Sequence, residues 1–198
     1  MGGIMYRYFT EMLVDLGREQ GWPLQEMALG PTGPGPDAAY EDLLEGRIGE
    51  RAYVQGIIDL LTGRGIEFDP AGDLAWTAIR RPQTWDAIAR IAAAGHLQAV
   101  LTNDASRWLG DGWWENWEHA GHFAAVIDVI TLTERKPDPG PYLAAARALG
   151  VAPQGCLFID DLPVNCRGAE AVGMKSLRFD VTDPDGSIER LLDRLEIG

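Results

Sequence analysis

The stretch Leu157-Phe158-Ile159-Asp160-Asp161-Leu162-Pro163-Val164-Asn165 limits what this chain can fold into more than any other. An apolar run stops abruptly at two adjacent carboxylates. A helical pattern through Val164, Ala169, Ala171 and Val172 then follows, closed by Gly173. The pattern predicts a buried strand that delivers Asp160 and Asp161 to the carboxyl end of a sheet, the edge where open α/β folds bind ligands. Adjacent carboxylates repel each other and are tolerated where a cation, a hydrogen-bond donor or open water faces them. Mg²⁺ suits hard oxygen ligands best. A strand that simply ends in a solvated acidic loop is the plainer alternative.

The flanking sequence supports a sheet built of alternating strands and helices. Leu97 to Leu101, Ala124 to Ile130, Gly155 to Ile159 and Ser176 to Phe179 are predicted strands. Between and after them, Pro139 to Leu149, Val164 to Val172 and Ser187 to Leu195 are predicted helices, and a Trp-rich helical region runs from Ala105 to Glu118. This alternation predicts a parallel sheet with right-handed crossovers.

The first half reads differently. Tyr6, Phe9, Met12, Leu13 and Leu16 form a helical stripe within Tyr6 to Gln20. Gly30-Pro31-Thr32-Gly33-Pro34-Gly35-Pro36 cannot be regular structure, and Asp37 is placed to cap a helix through Leu44. Glu50 to Thr62, Ala71 to Ile79 and Thr84 to Ala94 are further predicted helices, and no strand is expected in this half.

Two more places carry chemistry-bearing side chains. Thr102 and Asn103 follow a predicted strand and could donate hydrogen bonds to an oxyanion there; capping of the next helix is the competing role. Lys136 lies in Arg135-Lys136-Pro137-Asp138-Pro139, where two prolines stiffen the backbone that presents its ammonium. A solvated surface lysine is the alternative there. The order favours the chemical reading, since Thr102, Lys136 and Asp160-Asp161 would all converge on one edge of one sheet.

This arrangement resembles the haloacid dehalogenase-like hydrolase superfamily. Thr102 matches its second motif, Lys136 its third and Asp160-Asp161 its fourth. The strings Leu101-Thr102-Asn103, Lys136-Pro137-Asp138 and Ile159-Asp160-Asp161, through Asn165, Gly168, Ala169, Gly173 and Met174, are similar to the helical-cap branch that includes the phosphatase domain of soluble epoxide hydrolase. The resemblance implies an α/β fold: a Rossmann-like parallel sheet core over residues 91–198, a small all-helical cap over 6–90, and a remnant of the first motif over 1–5. It also implies roles. Asp161 with Asp160 would hold Mg²⁺, Lys136 would balance the charge of nucleophile and phosphoryl group, and Thr102 and Asn103 would hold phosphoryl oxygens.

In that family the first strand ends in an aspartate that attacks phosphorus, and water then hydrolyses the aspartyl phosphate. No apolar run precedes Gly2 here. Asp15 mimics the motif but sits in a helical stripe, with Gly17 at the position of the second acid. Met1-Gly2-Gly3-Ile4-Met5 instead looks like the tail of the motif, which implies that the polypeptide begins inside it. Gly2 then takes the place of the second aspartate and is counted with Asp160 and Asp161 at the metal site. With the first core strand missing from the sheet centre, the N-terminal residues or a neighbouring chain in a homodimer should fill the gap, or the sheet should distort.

The resulting expectation is a Mg²⁺-dependent phosphatase of a small phosphorylated metabolite, impaired in this chain by the missing nucleophile. A non-catalytic relative that binds a ligand or partner, and a haloacid dehalogenase, are the alternatives. A net charge of −13 without a basic run argues against nucleic acid or an anionic membrane as partner. Cys156 and Cys166 have no ligand-type spacing, and no signal peptide or spanning run is visible, so a cytoplasmic location is expected. Trp108, Trp113, Trp114 and Trp117 are expected to pack from one helix, with an exposed partner-binding patch as the rival. His96, His119 and His122 should be structural or surface residues.

Overall fold

The computed structural model describes residues 1–73, 80–103, 105–115 and 117–198. The chain divides into two compact units. One holds Gly2 and Tyr6–Arg80; the other holds Met1, Gly3–Met5 and Arg81–Gly198.

The first unit is helical: α1 (Phe9–Gln20), α2 (Ala38–Leu44), α3 (Glu50–Thr62) and α4 (Pro70–Asp73). Its β content among the described residues is two isolated bridges, Gly2 with Tyr6 and Tyr6 with Arg80. Asp37 caps α2 as expected, accepting from the amides of Ala39 and Tyr40. The same carboxylate also accepts from Gly30 N (2.9 Å) and the Tyr53 hydroxyl (2.8 Å), so one acid ties the Gly-Pro loop to α2 and α3. Leu13, Leu24, Leu43, Tyr53 and Leu61 are buried there. The helix expected over Ala71 to Ile79 is seen as α4 up to Asp73; its remainder lies outside the described residues.

The second unit is α/β. In chain order it comprises α5 (Pro82–Ala93), β1 (Ala99–Thr102), α6 (Ala105–Leu109), β2 (Ala125–Asp128), α7 (Pro139–Leu149), β3 (Leu157–Asp160), α8 (Pro163–Ala171), β4 (Lys175–Arg178) and α9 (Pro184–Arg194). All strand pairing is parallel, β1 with β2 and β3 with β4. These pairs form two separate two-stranded sheets rather than one.

Alternation along β3 sorts the core into two layers, as the period of two requires. Leu157 and Ile159 pack with Phe179, Ile188, Leu191 and the α5 residues Ala87 and Ile91. Cys156 and Phe158 pack with Tyr142, Ala146, Ala169 and Met174. This arrangement corrects the domain boundary. Most of the helix expected over Thr84 to Ala94 falls within the expected cap range 6–90, yet α5 belongs with the sheet because its apolar face is buried against α9. No helix among the described residues is long and apolar enough to cross a membrane.

The Trp-rich stretch also departs from expectation. α6 ends at Leu109, and turns follow in place of a helix to Glu118. Gly110 (φ 86°) and Gly112 (φ 70°) adopt left-handed backbone that an α-helix cannot continue through. The aromatic residues cluster from these turns. Trp117 stacks on Phe123 (5.4 Å) and stands edge-on to Trp85 (5.6 Å), while His119 stacks on Trp85 (3.9 Å). The side chain of Trp108 lies outside the described residues.

Candidate active site

Strand β3 ends in Asp160 and the loop before α7 carries Lys136. Their side chains meet at 2.7 Å as a buried ion pair, with 6% and 8% of the side chains exposed. Burying two charges is costly unless further hydrogen bonds satisfy them. Here they do. The second oxygen of Asp160 accepts from Leu162 N (3.0 Å) and from Asn165 Nδ2 (2.8 Å). The Lys136 ammonium also lies 5.6 Å from the centre of the Phe158 ring, a cation–π distance.

The lysine is held from the backbone as well as from its tip. Asn103, one residue past β1, accepts from Lys136 N (3.0 Å), and its amide donates to Lys136 O (3.5 Å). Asn103 thereby positions the lysine loop. Thr102 ends β1, is buried, and is in register with Asp128. The carboxyl ends of β1 and β3 therefore point to the same edge, joined there by Lys136.

A second set of contacts stiffens this edge from behind. The Tyr142 hydroxyl donates to Asn165 O (2.8 Å), and its ring packs edge-on against Phe158 at 5.1 Å. Burial, with the charge of Asp160 second, pushes the Tyr142 hydroxyl above the ordinary phenol range, so it stays a donor. Gly168 of α8 makes the close approach possible: a Cβ there would lie 2.5 Å from Pro137 O and 2.7 Å from the Tyr142 hydroxyl. The Cys166 thiol donates to Asp160 O (3.6 Å). Burial first and the Asp160 charge second push it up to about 11.

Asp161 is buried beside Asp160. Gly3 (φ 80°) is packed so closely against it that a Cβ on Gly3 would lie 2.5 Å from Asp161 Oδ2. Residues 3–5 are fixed by Arg81 Nε to Gly3 O (2.9 Å), Thr84 Oγ1 to Ile4 O (2.8 Å) and Arg81 N to Met5 O (3.1 Å). Gly2 belongs to the helical unit and has only a backbone carbonyl to offer a metal. Asp15 lies on α1 between Arg7 and Arg18, 2.6 Å from each, in a surface ion-pair cluster rather than at a strand end.

Whether a divalent metal fits can be judged from the donor set. Two adjacent buried carboxylates offer hard oxygens, and Mg²⁺ needs one or two of these, with waters and substrate phosphate completing its shell. Three of the roughly four acceptor positions of Asp160 are already taken, which leaves Asp161 as the leading ligand. Among the described residues no three His, Cys, Asp or Glu side chains converge to form a fuller cage. The set therefore fits a sparsely ligated Mg²⁺ and does not fit a closed structural site.

Sequence reasoning missed Tyr142 and Phe158 as supports of this edge, and the clasp that Asn103 places on Lys136. Nothing local signals them, because each acts on a residue more than twenty positions away in the chain.

The sequence profile of the haloacid dehalogenase-like hydrolases matches residues 18–173. The phosphoglycolate phosphatase of Escherichia coli K12 is 27% identical over 124 residues, covering 58% of this chain and 49% of that protein. A flavin mononucleotide hydrolase of Arabidopsis thaliana is 48% identical over 50 residues, 25% of this chain and 20% of the plant protein. The chain thus spans half or less of the length of these relatives. The L-2-haloacid dehalogenase of Xanthobacter autotrophicus, with chloropropionic acid covalently bound, has a similar fold (TM-score 0.58, 20% identity, 100% of this chain and 81% of that one). So does a HAD family enzyme of Bacteroides thetaiotaomicron in complex with magnesium and inorganic phosphate (TM-score 0.51, 17% identity, 91% of each chain).

Proposed function

Because the chain belongs to the haloacid dehalogenase-like hydrolases, we propose that its site is that of a phosphatase acting on a small phosphorylated metabolite. The observation that carries this reading is the buried Lys136–Asp160 pair at the carboxyl edge of the strands, one residue from a second buried acid. A fixed ammonium in a dry site is suited to a phosphoryl group whose charge spreads over its oxygens in the transition state. Such an ammonium is not needed at full strength by a solvated acidic loop.

Each residue then has a task. Lys136 neutralises phosphoryl charge. Asp160 and Phe158 hold that ammonium in place and Asn103 holds the backbone that presents it, so it reorganises little when charge develops. Thr102 offers a hydroxyl at the end of β1 for a phosphoryl oxygen. Asp161 is the residue that would hold Mg²⁺, and the metal when bound supplies charge neutralisation at the phosphate. Met1–Met5 hold no carboxylate that could serve as the family's nucleophile, so this reading requires an aspartate supplied from upstream of Met1.

The test is Mg²⁺-dependent turnover of p-nitrophenyl phosphate. It should be run on this polypeptide and on a version extended upstream of Met1 by an apolar segment ending in aspartate. The extended protein should be active and the shorter one at least 100-fold slower, with Lys136→Met abolishing the difference. A silent extended protein that still binds phosphate points to a binding role. Chloride release from 2-chloropropionate without Mg²⁺ points to a dehalogenase.

A further inference from the structure

Strand β2 ends in an acid of its own. Asp128 closes β2 in register with Thr102, which closes β1. The carboxylate of Asp128 reaches off its own strand. One oxygen, Oδ2, accepts from the backbone N–H of Ser106 (2.7 Å) and from the Ser106 hydroxyl (2.7 Å). The other, Oδ1, accepts from Ile130 N (3.2 Å), in the 3₁₀ turn Val129–Thr131 that follows β2. Ser106 lies in the first turn of α6, just past Thr102 in the chain and 22 residues before Asp128. Hydrogen bonds to a carboxylate are roughly twice as strong as neutral ones, so this is a firm tie between the end of one strand and the start of a helix that follows the other.

A tie is needed there. α6 has five residues, too few for a helix to hold itself in water. The chain that leads into it carries Asn103, whose side chain clasps the backbone of Lys136. Past Thr102 the chain is therefore gripped at two points from elsewhere: at Asn103 by the lysine loop and at Ser106 by the end of β2. Ala105, between them, is buried. An acceptor for the first turn of a helix normally comes from the residue just before it. Here the neighbouring strand supplies one, which ties the pose of the turn to the sheet edge. The task suits a carboxylate better than an amide. Two acceptor oxygens serve Ser106 and Ile130 together, whereas an amide has one oxygen and would face one of the two with its NH₂ group.

We propose that Asp128 is a positioning residue of the site: it fixes the turn after β1 from the neighbouring strand, and so sets where the Thr102 hydroxyl stands and how Asn103 grips the lysine loop. Its effect on a reaction rests on the phosphatase reading above; its effect on the turn does not.

Two measurements keep these apart. Amide hydrogen exchange on the 198-residue polypeptide needs no turnover. Asp128→Asn should speed exchange about tenfold or more at the Ser106 amide and about threefold or more at the Lys136 amide, whose acceptor is Asn103. Ser106→Ala loosens the same tie from the α6 side without touching residues 129–135, and should speed the Lys136 amide in the same direction but less. The amides of α3, in the other unit, should be unchanged in both variants, which shows that each remains folded. The second measurement is a double-mutant cycle on the protein extended upstream of Met1, hydrolysing p-nitrophenyl phosphate. Asp128→Asn should lower kcat/KM about tenfold or more beside Thr102 but only about threefold or less beside Thr102→Val, because a residue that places a hydroxyl has little left to place once the hydroxyl is gone. Unchanged exchange at Lys136 in both variants overturns the proposal, whatever the activity. So does an equal loss of kcat/KM in both backgrounds, which would make Asp128 a support of the fold as a whole. An extended protein that is silent while Lys136 exchange has quickened strikes the phosphatase reading and supports the fixing of the turn.

Discussion

The carboxyl edge of the strands and the middle of the same strands are built to different standards. At the edge, the buried ion pair is met by several partners: Asp160 by three donors, the Lys136 ammonium by Asp160 and the Phe158 ring, and the Lys136 backbone by Asn103. A few ångströms along β1 and β3, the strands leave one edge each to a 470 Å³ space, and most of their residues are only half-buried. The difference teaches where the edge gets its order. Its contacts run between loops and helix starts, from Asn103 to Lys136 and from Asp160 to Leu162 and Asn165, and none needs a strand between β1 and β3. The polar machinery can therefore stay assembled while the sheet behind it is divided.

If that is right, the edge should be intolerant of change and the middle tolerant. The largest effect should come from Lys136→Met, which leaves the carboxylate of Asp160 buried without its cation. Breaking a buried pair from one side costs about 3–5 kcal/mol, and urea denaturation should show a loss of that size. A loss below about 1 kcal/mol would mean that the edge relaxes and admits water, and the contrast would be lost.

Gly168→Ala probes the same edge from behind. Alanine favours the helix over glycine by about 0.5–1 kcal/mol. Its Cβ would, however, meet Pro137 O at 2.5 Å, a backbone atom that cannot rotate away. Overpacking of this kind costs about 1–3 kcal/mol, so a net loss is expected and a gain would show that the lysine loop is free to shift.

In the middle the sign reverses. Ala99 lines the cavity at the start of β1. Ala99→Val adds apolar volume where space exists and a β-branched residue where a strand runs. Cavity filling commonly yields about 0.5–2 kcal/mol, or a rise of a few degrees in melting temperature for a chain of this size. A fall in melting temperature would mean that the space is already closed in solution.

Much of this plan can be read along the chain. The acid pair at a strand end, the proline-stiffened lysine loop and the order of the segments place Lys136 and Asp160 on one edge. Helices with clear punctuation, Glu50–Thr62 and Pro139–Leu149, have the boundaries that their sequence predicts. What fails is legible only in three dimensions. Apolar periodicity in Thr84–Ala94 announces a helix but not which unit buries it. Trp113, Trp114 and Trp117 share a helical spacing with Trp108, yet Gly110 and Gly112 end the helix before those three can use it. The clasp of Asn103 on Lys136, 33 residues on, has no local signal at all.

The two cysteines report on the two regions with the smallest perturbation. Cys166 of α8 lies beneath the edge, 6% exposed, and Cys156, half-buried just before β3, lines the cavity. Thiolate is the reactive form, and burial raises both thiols, Cys166 to about 11. At pH 8 a thiol reagent should therefore label Cys156 well before Cys166. The same shift fixes a pH dependence. Between the ordinary thiol value of 9.0 and about 11 the folded state holds more protons than the unfolded state, so stability should fall as pH rises through that window and be unaffected below it. Replacing Cys166 with alanine should reduce that alkaline slope and leave the part that Cys156 and Tyr142, also raised by burial, contribute. If the slope is unchanged, Cys166 does not titrate in that window, and the edge is less dry than the packing around Asp160 implies.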